Sequence, residues 1–348
     1  MNRLRAAAAV LLLAVPAAAH PSVKVLIRRF SAASGDDRLR LAAALGRTRE
    51  KAAVDALLLA FDVRHGSPRE MSAIADALGA AGDARAAEEL SAADEYLRSL
   101  AAPLGGLTAP LQVLRRSILD AAGLCGGEAS VQLLKNALND PDPRMAAPAE
   151  RGLGRLQVKD AVPTLERFAA GGGERAQAAF EALADLGDKS AADALVPLLG
   201  AADALTRIEA AYALARLGRE GMAERLEGAL TSDAKAGGAV PLLAAYYLCR
   251  LDRAAGLAYL DGLMRRDDSG DAVLAAEALG KSGNPRAVLP LCDAASSSDS
   301  DLRAAAARAL GRLGGERAIS TLKTMRSDQN PAARSAALSS LAELGVLD

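Results

Sequence analysis

Apolar residues recur along this chain at helical spacing, and one apolar position repeats at intervals near 31 residues. It is a leucine in nine copies and an alanine in one, and a small residue usually follows it. The copies are Leu45, Leu78, Ala122, Leu153, Leu183, Leu214, Leu248, Leu279, Leu310 and Leu341. A period of this length indicates one helical hairpin stacked about ten times. The pattern therefore predicts an all-α, right-handed solenoid, and we call the repeated position the key leucine.

Residues 299–326 show how one repeat is built. Apolar residues at helical spacing run from Leu302 to Leu313, and Gly314 ends this helix, as glycine does where a chain must turn left-handed. A second helix is predicted over Arg317–Met325. Several helix starts combine Asn or Asp, which caps free amides, with a following proline: Asn284-Pro285, Asn330-Pro331 and Asp142-Pro143. Each repeat is therefore predicted to be a pair of antiparallel helices.

The mature chain, residues 20–348, is predicted to be a single solenoid, because each repeat contacts mainly its neighbours and no boundary between repeats is privileged. Residues 23–30 are expected to supply the one outer helix of the first unit. A helix over Pro331–Leu344 is expected to cap the other end. Long Val/Ile alternation is absent from the sequence, which excludes a β solenoid.

One interval departs from the period. From Leu78 to Ala122 the spacing is 44 residues, and the insertion covers about 91–110. It is predicted to be an extended helix through 96–100, followed by a loop over 103–110. Leucines exposed on such a loop would make it a contact element. The alternative is an inserted segment that folds over the surface without a binding role.

The first nineteen residues form a different kind of segment. Arg3 and Arg5 give a basic start, residues 6–15 are apolar, and Pro16 precedes three alanines. This pattern is typical of a secretory signal peptide, with cleavage expected after Ala19. The apolar run is about half of the roughly 20 residues that span a bilayer. We therefore expect an exported protein, periplasmic or extracellular, without a membrane span.

Composition excludes one class of partner. The chain has 42 Lys and Arg against 43 Asp and Glu, and removal of the leader takes two arginines away. A protein that holds nucleic acid should show a strong basic excess. Aromatic residues are only 3% of the chain, while alanine and leucine supply most of the apolar content. This mixture favours closely packed helices and argues against nucleic-acid binding.

A family resemblance rests on the repeat at 299–314. Asp299, an arginine four residues later at Arg303, and an alanine-rich helix that closes on Leu310-Gly311 resemble the HEAT repeat. More specifically, they resemble the bacterial HEAT-like repeats first described in phycobilin lyases. The resemblance implies an armadillo-like α-α superhelix and a ladder of arginines bonded to neighbouring turns inside the stack. With Asp299, its members here would be Arg38, Arg115, Arg207, Arg303 and Arg334. The fold serves scaffolds, adaptors, lyases and oxygenases, so it implies no single activity.

The sequence offers no catalytic or metal site. Only His20 and His65 are present, whereas the deoxyhypusine hydroxylases, which are similar HEAT-like proteins, hold iron through several His-Glu pairs. That activity is therefore not transferred to this chain, and no cofactor is expected. Cys125, Cys249 and Cys292 lie in or beside helical patterns, and their odd number argues against a disulfide framework. We expect buried single thiols.

One face of the first helix in each motif carries the candidate binding residues. Positions two before and two after the key leucine point about 160° away from it, so we expect them to be exposed. The resemblance to HEAT proteins implies that this helix lines the concave face. The hypothesis of a partner-binding patch names Tyr212, Arg216, Tyr246, Arg250, Lys281, Arg308 and Arg312. Tyrosine and arginine are enriched at binding hot spots. The alternative is a solvated helix face with ordinary ion pairs, such as Glu277 with Lys281.

These observations predict a non-catalytic, monomeric scaffold or adaptor of the bacterial cell envelope that binds protein partners along its concave helices. The alternative is a lyase-like or oxygenase-like HEAT enzyme, or a protein that binds a bilin-type ligand. A scaffold predicts an open groove, whereas an enzyme predicts a closed pocket with clustered polar groups. A purely structural spacer predicts no charged or aromatic cluster on the concave face.

Overall fold

The computed structural model describes residues 22–104, 106–140, 142–171, 173–189, 191–232, 238–266 and 269–346. The predicted signal peptide lies outside these residues. The described chain is a run of twenty α-helices with no strand, which confirms the predicted all-α solenoid. The helices alternate between two layers.

The ten even-numbered helices carry the key leucines and form the inner layer: α2 (Gly35–Thr48), α4 (Pro68–Ala81), α6 (Ala109–Cys125), α8 (Pro143–Arg155), α10 (Gly173–Leu186), α12 (Ala204–Arg216), α14 (Ala239–Arg250), α16 (Ser269–Ser282), α18 (Ser300–Leu313) and α20 (Pro331–Glu343). The ten odd-numbered helices form the outer layer: α1 (Val23–Ala32), α3 (Lys51–Ala60), α5 (Ala87–Leu104), α7 (Glu128–Ala137), α9 (Val162–Gly171), α11 (Ala191–Leu195), α13 (Met222–Ser232), α15 (Ala254–Met264), α17 (Val288–Ala294) and α19 (Glu316–Thr324). Short 3-10 turns begin or extend several outer helices. The single outer helix at the start and the capping helix at the end, α1 and α20, agree with the prediction.

The hydrophobic core lies between the two layers, and the key leucine of each repeat is part of it. Each copy of this position is buried, and the most accessible of them, Leu341, is only 3% exposed. Apolar residues of the outer helices, such as Leu57, Leu165 and Leu226, pack from the other side and are fully buried. The solenoid thus buries the key leucine of every repeat, as the periodicity predicts, in two core clusters that divide at α14.

The small residue after the key leucine sets how closely consecutive inner helices approach. A Cβ added at Gly123 would lie 2.6 Å from the Cα of Gly152, which directly precedes the next key leucine. The same relation recurs at Gly280, where a Cβ would lie 2.7 Å from the Cα of Ala309. The backbones are therefore in direct contact, and only glycine fits. The recurring Leu-Gly pair is a packing requirement between repeats.

Replacement of Gly123 by alanine is expected to destabilise the protein, although alanine is the better helix former by about 1 kcal/mol. The added methyl group overlaps backbone, which costs roughly 1–3 kcal/mol when a packed core has to shift. The measurement is the midpoint of urea unfolding followed by circular dichroism. The matched control is Gly228→Ala in α13, where a Cβ would meet nothing within 4 Å. This change should stabilise the protein, and an equal effect at both sites would contradict the packing account.

The insertion is absorbed by two helices rather than by a loop. The outer helix α5 has 18 residues and the following inner helix α6 has 17. Leu104 already belongs to α5, and α6 begins at Ala109, so the predicted loop over 103–110 is wrong in its length. The alanines and leucines of this segment favour helix over loop. Leu107, in the short connection, packs against the core.

The last inner helix, α20, packs against the first, α2. The inner helices therefore form a closed ring around a central space, which we call the lumen, and we call the α2–α20 contact the seam. An open groove, expected for a scaffold, is not what the described chain forms. Closure depends on the sum of small rotations between successive repeats, a quantity that no single repeat displays.

Candidate functional site

The faces of the inner helices that turn away from the leucine core carry two rows of polar side chains. The position two residues after the key leucine is occupied mostly by cations, and we call this row of side chains the basic belt. Its cations are Arg47, Arg155, Arg216, Arg250, Lys281 and Arg312, and its acidic members are Asp185 and Glu343. Two residues before the key leucine stand Asp76, Asp120, Arg151, Glu181, Tyr212, Tyr246, Glu277 and Arg308. The two rows are about 6 Å apart along the helix axes.

Helix ends account for part of this charge pattern. Each cation of the basic belt lies in the last turn of its inner helix. The carboxyl end of a helix carries a partial negative charge, so a cation there is favourable by about 0.3–1 kcal/mol. The basic belt therefore has a structural cause as well as any binding role.

The arginines predicted to form a ladder bond to turns and helices of adjoining repeats. Arg303 donates to the Asp328 carboxylate at 2.8 Å and to the carbonyl of Ser297 at 2.9 Å. Arg207 donates to the carbonyls of Ala201 and Ala202, both at 2.8 Å. Arg38 pairs with Glu70 at 2.6 Å, and Arg334 donates to the Asp328 carbonyl. Asp299 caps its own helix instead, by accepting from the Asp301 amide at 2.8 Å.

Arg115 forms the most buried member of this ladder. Its guanidinium lies 2.7 Å from an Asp94 oxygen and 2.6 Å from an Asp140 oxygen. The side chains of Arg115 and Asp94 are 7% and 1% exposed, so this network is shielded from water. Asp94 also accepts from Arg98 at 2.8 Å. The network joins α5 and α6 to the turn that follows α7.

An aromatic cluster lies between α12 and α14. The Tyr212 and Tyr247 rings are stacked with centroids 4.1 Å apart, and Tyr246 is tilted against Tyr247 at 5.1 Å. Tyr212 is fully buried, so its predicted exposure is wrong. The reason is Tyr247, one residue before the key leucine, where other repeats carry glycine, alanine or serine. Its ring fills the space between the helices and pairs with Tyr212.

Arg250 covers this cluster from the lumen. Its guanidinium lies 5.0 Å from the centre of the Tyr212 ring and 5.9 Å from that of Tyr246. It also pairs with Glu181 on α10 at 3.3 Å, across the intervening helix α12. Side chains two repeats apart thus meet, which requires strong local curvature. Arg250 therefore lies over Tyr212 and Tyr246 as a bridge between repeats.

Of the remaining residues of the predicted patch, some form ion pairs and one does not. Arg216 pairs with Asp185 at 3.3 Å and donates to the Tyr212 hydroxyl at 3.0 Å. Lys281 and Arg308 both approach Glu277, at 3.8 and 3.6 Å, in the looser geometry of exposed ion pairs. Arg312 is exposed and forms no ion pair within the described part of the chain. The structure thus brings Tyr212, Tyr246, Arg216 and Arg250 together and places the other three nearer the seam.

Two buried carboxyl groups with raised pKa values were not predicted. Glu209 in α12 is 6% exposed, and burial raises its pKa to about 8, helped by the nearby charges of Asp203 and Glu181. Glu150 in α8 is fully buried, and burial raises its pKa to about 7 although Arg175 donates to it at 3.0 Å. The position of Glu209 could have indicated its burial, because it lies five residues before the key leucine and on the same helix face as Tyr212.

Two adjoining cavities lie on either side of the last inner helix, α20, and we call them the seam cavities. One of 320 Å³ is lined by α2, α4 and α20 and includes Arg40, Arg47, Asp76, Ser339 and Glu343. The other, of 390 Å³, is lined by α18 and α20 and shares Ser339 and Glu343 with the first. Its cations are Arg308 and Arg312. The first cavity exists only because the first and last repeats meet, whereas the second lies between the last two inner helices. Neither Arg40 nor Arg47 was predicted to belong to a site.

Thiols and metal ligands show no reactive arrangement in the described residues. The three cysteines are free; Cys125 and Cys249 are buried, as predicted, whereas Cys292 is only partly buried. Burial raises the pKa of Cys125 to about 11 and that of Cys249 to about 12, which suits packed thiols rather than nucleophiles. No group of three or more His, Cys, Asp or Glu side chains among the described residues could hold a metal ion. His65 is exposed and bonded to Asp62, while His20 lies outside the described residues.

Within the same residues, none of the helices combines the length and the apolar character needed to cross a membrane.

Comparison with known proteins places two segments, residues 173–237 and 257–342, in the family described as HEAT repeats. No curated protein matches the sequence. Among solved structures, human deoxyhypusine hydroxylase is 17% identical, with 74% of this chain and 97% of that chain covered and a TM-score of 0.38. The CpcE–CpcF complex of phycocyanin lyase from Nostoc is 19% identical over 90% of this chain and 98% of that chain, with a TM-score of 0.34. An engineered protein is 19% identical over 92% and 98%, with a TM-score of 0.34.

Proposed function

We propose that this chain, which carries HEAT repeats through its C-terminal half, is a non-catalytic scaffold or adaptor of the bacterial cell envelope that holds a protein partner against the inner face of its ring. The inner helices form a closed ring instead of the open groove expected of a scaffold, so the observation that carries the proposal is the set of exposed cations on these helices and not their shape. Repeats that stack in register place these groups at fixed positions, as a recognition surface requires. The signal-like residues 1–19 support the envelope location.

Some cations of the inner face are held in ion pairs within the protein, and others are available to a ligand. Arg216 and Arg250 are held by Asp185 and Glu181, so they brace neighbouring repeats. Arg155 and Arg312 are exposed and have no ion pair within the described residues. The helix dipole favours a cation at both positions, but neither guanidinium is engaged in an ion pair that would keep it from a ligand. These two residues, together with Lys281 on α16 and Arg308 on α18, are the positions at which we expect a partner to bind.

Photocrosslinking in intact cells tests the proposal. A photoreactive phenylalanine analogue at Arg312, on the inner helix α18, is expected to capture a defined protein. The matched control carries the analogue at Arg317, an equally exposed arginine on the outer helix α19. The adduct should be present in the position 312 sample and absent from the position 317 sample. Mass spectrometry of the adduct identifies the partner and the peptide that was joined.

Three outcomes would overturn the proposal. They are the same adducts from both positions, no adduct from position 312, or a co-purifying small molecule with no protein. The last would favour the ligand-binding alternative. Cell fractionation and N-terminal sequencing of the tagged protein check export in the same samples, because cleavage after Ala19 would make His20 the first residue.

A further inference from the structure

We infer that the partner is bound through an acidic peptide segment, which docks in the two seam cavities on either side of α20. The inference rests on the proposed function and adds to it the chemistry and the place of the bound segment. We call the four arginines that line the two cavities, Arg40, Arg47, Arg308 and Arg312, the seam arginines.

The charge of the seam fits an anionic ligand. Four arginines line the two cavities, against only two carboxylates, Asp76 and Glu343. The whole chain carries a formal net charge of −1, so this local excess of cations runs against the overall balance. Arginine binds carboxylates through two parallel hydrogen bonds, which suits Asp and Glu side chains.

Helix ends do not explain all four seam arginines. Arg47 and Arg312 lie in the last turns of α2 and α18, where the helix dipole favours a cation. Arg40 and Arg308 lie away from these ends. Arg40 has one weak neighbour, Asp37 at 3.5 Å, and Arg308 has Glu277 at 3.6 Å. Exposed pairs of this kind contribute little stability, so their guanidinium groups remain available to a ligand.

The size of the lumen restricts the form of the partner. Ten inner helices spaced 8–10 Å apart enclose a ring about 25–32 Å across its helix axes. Subtraction of one helix diameter leaves a free width of about 15–20 Å for a circular ring, and less for a flattened one. A folded domain of 100 residues has a radius of gyration near 13 Å and is too wide. An extended segment or a single helix fits.

Fluorescence anisotropy with the mature full-length protein tests the inference. The probe is a labelled twelve-residue peptide of alternating Glu and Ser, and the comparison peptide has Gln at each Glu. We expect the acidic peptide to bind, with an affinity that falls as salt is added. Binding of both peptides alike, or of neither, would overturn the inference.

Paired charge variants locate the site. Arg47→Gln with Arg312→Gln should weaken binding of the acidic peptide by roughly tenfold, since each exposed ion pair is worth a few-fold in affinity. Arg40→Gln with Arg308→Gln should have a similar effect without touching the helix ends. The matched control is Arg28→Gln with Arg317→Gln, which removes the same charge from exposed arginines of outer helices α1 and α19. Equal weakening by all three pairs would show a general charge effect and reject the site, and circular dichroism verifies that each variant is folded.

Two further outcomes separate this inference from the proposed function. Equal affinity for a single-stranded DNA of the same charge would reject the peptide assignment. A defined protein captured at position 312, but through a segment that is not acidic, would leave the scaffold standing and reject the acidic segment. Failure of capture together with failure of peptide binding would reject both.

Discussion

Replacement of Arg115 by methionine should lower the free energy of unfolding by about 3–5 kcal/mol, because it leaves Asp94 charged, buried and without its main partner. Asp94 is 1% exposed, and Arg115 lies 2.7 Å from it. The loss should be measured as a shift in the urea midpoint at constant slope. Arg98 also reaches Asp94, but its side chain is 45% exposed and screened by water. It should therefore not compensate.

Arg116 supplies the control, since it is the next residue in α6 and is exposed. Arg116→Met removes the same charge from the same helix and should change stability by less than about 0.5 kcal/mol. Addition of Asp94→Leu to Arg115→Met should recover part of the loss, because the buried charge then disappears with its partner. If Arg115→Met and Arg116→Met cost the same, the buried network has no special part in stability.

Replacement of Glu209 by glutamine should remove a pH dependence of stability. The pKa of Glu209 is raised from its ordinary value of 4.5 to about 8 in the folded protein. The folded state therefore holds a proton that the unfolded state releases, and wild-type stability should fall as pH rises from about 4.5 to 8. One pKa unit corresponds to about 1.4 kcal/mol, which sets an upper bound near 5 kcal/mol. We expect Glu209→Gln to be about 2–4 kcal/mol more stable than wild type at pH 9.

Thermal or urea unfolding at pH 5, 7 and 9 provides the measurement. At pH 5 the two proteins should be nearly equal, because Glu209 is already protonated when folded. Glu95→Gln, on the exposed surface of α5, is the control and should follow the wild-type profile. Parallel profiles for wild type and Glu209→Gln would mean that burial does not raise this pKa.

The packing of the solenoid was largely readable from sequence. The key leucine and the small residue after it are local features, and both have the same surroundings in most repeats. A Cβ at Gly123 or Gly280 would overlap the next inner helix, so the Leu-Gly pair reports the distance between backbones. Caps were equally local: Asn330 and Asp142 accept amide hydrogen bonds at the starts of α20 and α8, as predicted.

Predictions about the inner face depended on more than one repeat and succeeded less evenly. The angle around the helix correctly placed Lys281, Arg308 and Arg312 on the exposed side. The exposure predicted for Tyr212 from the same angle was wrong, because Tyr247 of the next repeat causes its burial. The burial of Glu209 was not predicted for a related reason, because neighbouring helices, and not its own helix, shield its side chain from water.

The sequence by itself determined the repeat, the helix pairs and the side of each helix that faces the core, because these follow from periodicity and from contacts between adjacent turns. Only the tertiary structure decided that α2 meets α20 and that the cavity lined by Arg40 and Arg47 adjoins the cavity lined by Arg308 and Arg312. The physical reason is that the rotations between successive repeats add up along the chain. Each repeat turns slightly relative to the last, and whether ten such rotations close a ring depends on every interface together.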